Sequence, residues 1–227
     1  MTEDINRNDN NNGTPRTLDE NELLRKLRAI GTDLWRESQD VAAEPKQKPE
    51  KPARVVVKQP EIGIGNLWMT ADETIDWTDA LAHDYPTDGL TNMRLWDFYH
   101  KQAEAVLSGD TKAYAEVLKK ANPLGELTTF AEGISMRAPA PDRVEAQFNC
   151  REEYMEPQAR KYLSAMGVRI ARDLLACLPV DEVGVKAVRG GKTVMEVIYR
   201  REALLHRNFT FLDPVKLTEE CGVVFEL

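Results

Sequence analysis

The sequence predicts an α+β fold: a helical N-terminal half, then a mostly antiparallel sheet with one long helix packed on it. Three observations predict it. Between Pro157 and Leu178 apolar residues recur at helical spacing, with Ala159, Tyr162, Leu163, Met166, Ile170, Leu174, Cys177 and Leu178 on one face. Just before, the period is two: Val144, Ala146 and Phe148 alternate with Glu145, Gln147 and Asn149. Just after, Glu182–Val188 and Thr193–Arg200 read as strands joined at Gly190-Gly191, a pair suited to a tight hairpin turn. With Val223–Phe225 as a last strand, the order from Val144 is β-α-β-β-α-β, for which a ferredoxin-like arrangement is the nearest common topology.

Composition bounds the rest. The chain has 227 residues, 42% hydrophobic and 30% charged, which describes a water-facing globular protein with a polar excess. The N-terminus MTEDINRNDNNNG has no apolar core, so no secretory signal is expected, and no apolar run approaches a bilayer's thickness. Cys150, Cys177 and Cys221 are isolated and odd in number, which fits a reducing cytoplasm and gives no disulfide framework or zinc pattern. The net charge of −8 is concentrated: residues 61–99 hold eight acids and one base. Such a block repels a phosphate backbone and argues against nucleic acid as a partner there.

Taken in order, residues 1–16 are Asn/Asp-rich and predict a disordered tail. Thr17-Leu18-Asp19-Glu20 is a capping box that opens an amphipathic helix over 17–40. Leu23, Leu27, Ile30 and Leu34 form its apolar seam, too short to stand alone in water, and therefore a candidate surface for a protein partner or for homo-oligomerisation. Residues 41–60 are a Pro/Lys linker, AAEPKQKPEKPARVVVKQP in sequence from Ala42, in which Val55–Val57 is a candidate edge strand. Residues 61–140 read as a helical region. Thr70-Ala71-Asp72-Glu73 resembles a second capping box, placing Asp72, Asp76, Asp79 and His83 along one helix face. Carboxylates and an imidazole so aligned are candidate ligands for a divalent cation if a second element supplies more donors, whereas the plainer expectation is a solvated face opposite Ile75, Ala80 and Leu81. Helices follow from about Leu90 to Leu107 and from Asp110 to Asn122-Pro123, and Ala138–Pro141 reads as a short spacer.

Residues 141–227 make up the α+β domain. In its long helix Asp173 falls at the border of the apolar stripe, one turn after Arg169. An i, i+4 ion pair is expected there, and a partly buried carboxylate held for chemistry is the sharper alternative. A two-residue hairpin loop sets Val185 opposite Glu196 and so turns Glu196 toward the apolar face; either that face is only half covered, or Glu196 is a buried acid met by a base, for which Arg169 and Arg172 are candidates. Asp173, Glu196 and Arg169 are therefore the candidate catalytic residues.

The run from Arg169 to Leu175, Leu178-Pro179-Val180-Asp181, Asn208-Phe209, Asp213-Pro214 and Asn122-Pro123-Leu124 resemble a bacterial α+β family over about residues 90–227. The resemblance implies the fold and brings no activity and no site residues, and this chain differs in a shorter hairpin and an abrupt C-terminus. No dinucleotide loop, phosphate loop, metalloprotease or hydrolase signature is present; Gly63 and Gly65 are not preceded by a strand long enough for a dinucleotide loop. A nuclease pattern starting at Pro179-Val180-Asp181 breaks, because Glu196 is followed by Ile198 where a lysine is needed and Lys186 is on the other strand. No cofactor is implied. The expectation is a non-enzymatic interaction or accessory protein of the bacterial cytoplasm, with a carboxylate/Arg enzyme or a divalent-cation-binding protein as alternatives.

Overall fold

The computed structural model describes residues 62–87 and 91–227. The seam of Leu23, Leu27, Ile30 and Leu34, the capping box at Thr17, the linker and Val55–Val57 lie outside the described residues.

The described chain starts as a strap, extended apart from a 3-10 turn at Leu67–Met69. Three helices follow: α1 (Trp77–Ala82), α2 (Met93–Leu107) and α3 (Thr111–Ala121). Each has a side-chain cap, from Asp76, Asn92 and Asp110 in turn. Asn122 closes α3 in the left-handed conformation that Asn tolerates, with φ 48°. The helix expected from the Thr70 box begins instead at Trp77. The reason is tertiary: the Thr70 hydroxyl and the Asp72 N–H are engaged by the long helix described below, so they cap nothing locally.

The sheet has five strands: β1 (Ala131–Ala140), β2 (Arg143–Cys150), β3 (Glu182–Arg189), β4 (Lys192–Arg200) and β5 (Val224–Phe225), neighbours in that order. The β1 hairpin partner is β2, β2 and β3 run parallel, and β4 pairs antiparallel with both β3 and β5. The sheet is thus mostly antiparallel and the fold is α+β. Chain order from Arg143 follows the expected β-α-β-β-α-β, while neighbours in space are simply consecutive, so β5 sits beside β4. The stretch read as a spacer at Ala138–Pro141 is the end of β1. Proline survives there because β1 is an edge strand, where a missing N–H costs the sheet nothing.

Crossing from β2 to β3 are α4 (Glu152–Met155) and the long helix α5 (Ala159–Cys177). It starts two residues beyond Pro157 and stops at Leu178, as the following proline requires. Its apolar stripe meets Val144, Ala146 and Phe148 of β2, Val183, Val185 and Ala187 of β3, and Met195, Val197 and Tyr199 of β4, all buried. Each of the valines, Phe148 and Met195 in this layer contributes about 1.5–3 kcal/mol, against about 0–1 kcal/mol for an exposed ion pair, so this layer sets the fold. Gly167 lies where α5 comes closest to β4: a Cβ there would stand 2.7 Å from Tyr199 Oη and 3.3 Å from Met195 Cε. Two short helices, α6 (Arg201–Leu204) and α7 (Pro214–Glu220), lead to β5. Among the described residues no helix is long and apolar enough to cross a membrane.

The strap changes what α5 exposes. By helical period alone, Arg160, Lys161, Ser164 and Arg172 lie away from the apolar stripe and read as its solvent side. Only Arg160 is exposed; Ser164 is buried, and Lys161 and Arg172 are half-buried. The strap runs along that side, and its Ile75 N–H donates to Ala176 O at 2.9 Å while Trp77 Nε1 donates to Cys177 O at 3.0 Å.

Candidate functional site

Arg169 and Asp173, one turn apart on α5, form the charged centre of the molecule. Arg169 Nε donates to Asp173 Oδ2 at 2.6 Å, with the two side chains 3% and 0% exposed. The strap completes the group. The Asp72 N–H donates to Asp173 Oδ1 at 2.9 Å, Arg169 Nη1 donates to Thr70 Oγ1, and Arg169 Nη2 lies 3.5 Å from Asp72 Oδ1. Glu126, from the 3-10 turn Gly125–Thr129, brings a third carboxylate to 3.6 Å from the same nitrogen. Alongside, Arg172 donates to the carbonyls of Trp68 and Thr70 and lies over the Phe209 ring at 3.7 Å. Burial pushes the Asp173 carboxyl up to about 6, although the bond from Arg169 pulls the other way. Asp72 is raised too, by burial first, with Arg169 opposing. Burial lowers Arg172.

The expected ion pair therefore exists, but it is a buried clasp rather than a border contact. No atom of Asp173 is open to a substrate. A cavity of about 290 Å³, lined by Ile62, Leu67, Leu127, Thr129 and Phe130, reaches Arg169 and Glu126 but does not include Asp173.

Glu196 is elsewhere. The expected register set it opposite Val185; in the structure it is opposite Lys186. The cause is a β-bulge: Val188 pairs with Thr193 but Ala187 pairs with Met195, so Val194 is an extra residue. That single insertion turns Val194 and Met195 both inward and sends Glu196 to the outer face, 60% exposed and 3.4 Å from Lys186. Asp173 and Glu196 are thus on opposite sides of the sheet with no cleft between them, and Glu196 meets neither Arg169 nor Arg172.

The expected cation row is also dispersed. Asp72 belongs to the strap, Asp76 caps α1, and only Asp79 and His83 share a helix face, where Oδ1 and Nδ1 are 2.7 Å apart. Thr87 Oγ1 takes the other Asp79 oxygen. Among the described residues no three His, Cys, Asp or Glu side chains are placed to hold a metal ion. The Asp76 carboxylate accepts the N–H groups of Asp79 and Thr78, which hold its pKa below the usual value.

The outer sheet face, which sequence reasoning did not single out, carries a shallow depression of about 410 Å³ bordered by Ser135, Arg137, Arg143, Gln147, Lys186 and Ile198. Arg137 and Arg143 both pair with Glu145, the latter at 3.0 Å, so its charges are mutually engaged. The alternation of Glu145, Gln147 and Asn149 was the signal for this wet face; Gly184, over which the Glu145 and Arg143 side chains close, also borders it.

Compared with known proteins, the chain matches no family model, no curated protein and no solved structure. The resemblance drawn from short motifs gains no support from these comparisons, and the site rests on its own geometry.

Proposed function

We propose that this chain is a non-enzymatic interaction or accessory protein of the bacterial cytoplasm, docking onto a partner or a second copy through residues 17–40. The observation that carries the reading is the assignment of polar groups in the body. Among the described residues the strongly buried charge cluster is consumed in fastening the strap and the outer-face charges pair with each other, while the apolar seam of Leu23, Leu27, Ile30 and Leu34 is, by its sequence, too short to stand alone in water. The isolated cysteines support the compartment. The enzyme alternative needs Asp173 and Glu196 at one cleft, and they lie on opposite faces.

Light scattering on the intact 25.7 kDa chain against a Leu27→Asp/Leu34→Asp variant tests the docking surface. The expected result is a multimer that the variant reduces to one chain, or a partner retained by an immobilised 17–40 peptide and not by the doubly substituted peptide. Equal single-chain masses with nothing retained would overturn it.

A further inference from the structure

The two edges of the sheet differ. One ends in β5, a strand of two residues, and so short an edge offers little backbone to another strand. The other is β1, ten residues long. Among the described residues no strand lies beyond it, and the backbone of residues 132–139 hydrogen-bonds only to β2. Every second residue of a strand turns its N–H and carbonyl away from the neighbour, so this edge presents a row of donors and acceptors that a further extended chain matches in full. The usual guards of an edge are charge, proline and irregular pairing. Here they flank the middle of β1 rather than interrupt it. The register shifts lie between Ala131 and Gly133 and between Arg137 and Ala140, and Pro139 falls within the second. Between them Gly133–Arg137 pairs with β2 without a break and carries a single charge, at Arg137. Side chains in this stretch alternate. Ser135 and Arg137 border the outer face, while Ile134 and Met136 pack on the core and are only half-buried.

We propose that two copies of this chain join edge to edge through β1, antiparallel about a two-fold axis perpendicular to the sheet. A strand with the same alternation covers such an edge, and β1 is itself that strand. The axis keeps outer face with outer face, so each residue meets one that points the same way. Of the registers this permits, the one centred on Ser135 uses the whole regular stretch. It sets Ser135 opposite Ser135, Ile134 opposite Met136 and Gly133 opposite Arg137. Both half-buried apolar side chains then gain apolar partners, and the two guanidiniums stay apart, whereas a register centred on Arg137 would set them face to face. The contact is isologous and occupies β1 on both sides, so it closes at two copies. It uses no residue of 17–40, and it stands or falls apart from the docking reading.

Oxidative cross-linking of the full chain tests it. Ser135→Cys, at an exposed outer-face position, sets two thiols across the axis with Cβ atoms about 5 Å apart, within disulfide reach. Gln147→Cys, exposed on β2 and paired with Ser135, sets them three strand spacings apart, about 14 Å and out of reach. Measured above the wild-type baseline, Ser135→Cys is expected to form a disulfide-linked pair at least about tenfold faster than Gln147→Cys. The rate is expected to hold in a Leu27→Asp/Leu34→Asp background. Hydrogen exchange of the unsubstituted chain gives a second readout: amides of Gly133–Arg137 are expected to be protected in concentrated solution and to exchange faster on dilution, while those of β3 stay unchanged. Equal cross-linking rates, a Ser135→Cys protein that remains a single chain, or exchange indifferent to concentration would overturn the proposal. Loss of the cross-link in the Leu27→Asp/Leu34→Asp background would assign the pairing to residues 17–40 and overturn it as well.

Discussion

At the scale of single residues, two acids that look alike in the sequence differ by their surroundings. Truncating Asp173 to Ala removes the buried carboxylate that pairs with the buried Arg169 guanidinium and is expected to cost about 3–5 kcal/mol in urea unfolding, since Asp173 accepts from Arg169 Nε at 2.6 Å with neither side chain exposed to water. Truncating Glu196 to Ala breaks an exposed pair with Lys186 and is expected to change stability by at most about 1 kcal/mol. The reverse ranking would show that the bulge at Val194 is absent in solution. The pairing of Arg169 with Asp173 was legible from their spacing of four. Their burial was not, because the residues that cover them, Thr70 and Asp72, are about a hundred positions away in the chain. Glu196 was misplaced for a local reason: a hairpin register counted from its glycines is off by one beyond any bulge, and every side chain after it changes face.

Among the elements, α1 and α5 each rest on one checkable position. Asp76 caps α1, so Asp76→Ala is expected to cost about 1 kcal/mol and Asp76→Asn much less, because Asn caps nearly as well. Its carboxyl is held below the usual value, so its contribution is present above the ordinary carboxylate range and is lost as pH falls below that range. On α5, Gly167→Ala would gain helix propensity but drive a methyl against Tyr199 Oη. We expect about 1–3 kcal/mol of destabilisation, much of it recovered in a Gly167→Ala/Tyr199→Phe double variant, where the oxygen is gone; purely additive losses would refute the clash. The helices from Asn92 and Asp110 and the long helix were readable from caps and period. Strand β1 was not, since Gly133, Ala138 and Pro139 dilute its alternation, and it is defined by pairing with β2 rather than by its own residues.

For the whole molecule, the layered core predicts an order of opening. Amides of α5 and of β2 and β3, at the middle of the sheet, should exchange slowest, and those of the two-residue β5 fastest among the strands. Slower exchange in β5 than in β3 would contradict the strand order. The α+β class was legible because the change of period at Val144 announces a sheet, although the sheet itself starts one strand earlier, at Ala131. The spatial order was not, because the sequence does not encode which edge the last strand joins.

The β2–β3 pair is the single parallel contact in the described sheet, and it joins two hairpins made at different times along the chain. Backbone cleavage at the Pro179–Asp181 corner, where Pro179 and Asp181 are exposed and Val180 is buried, would leave one fragment with the first hairpin and α5, and another with the second hairpin and only the short helices α6 and α7. Each would carry half of a matched apolar surface. Mixed together, the fragments should reassemble, which would make this protein a ready source of a split tag.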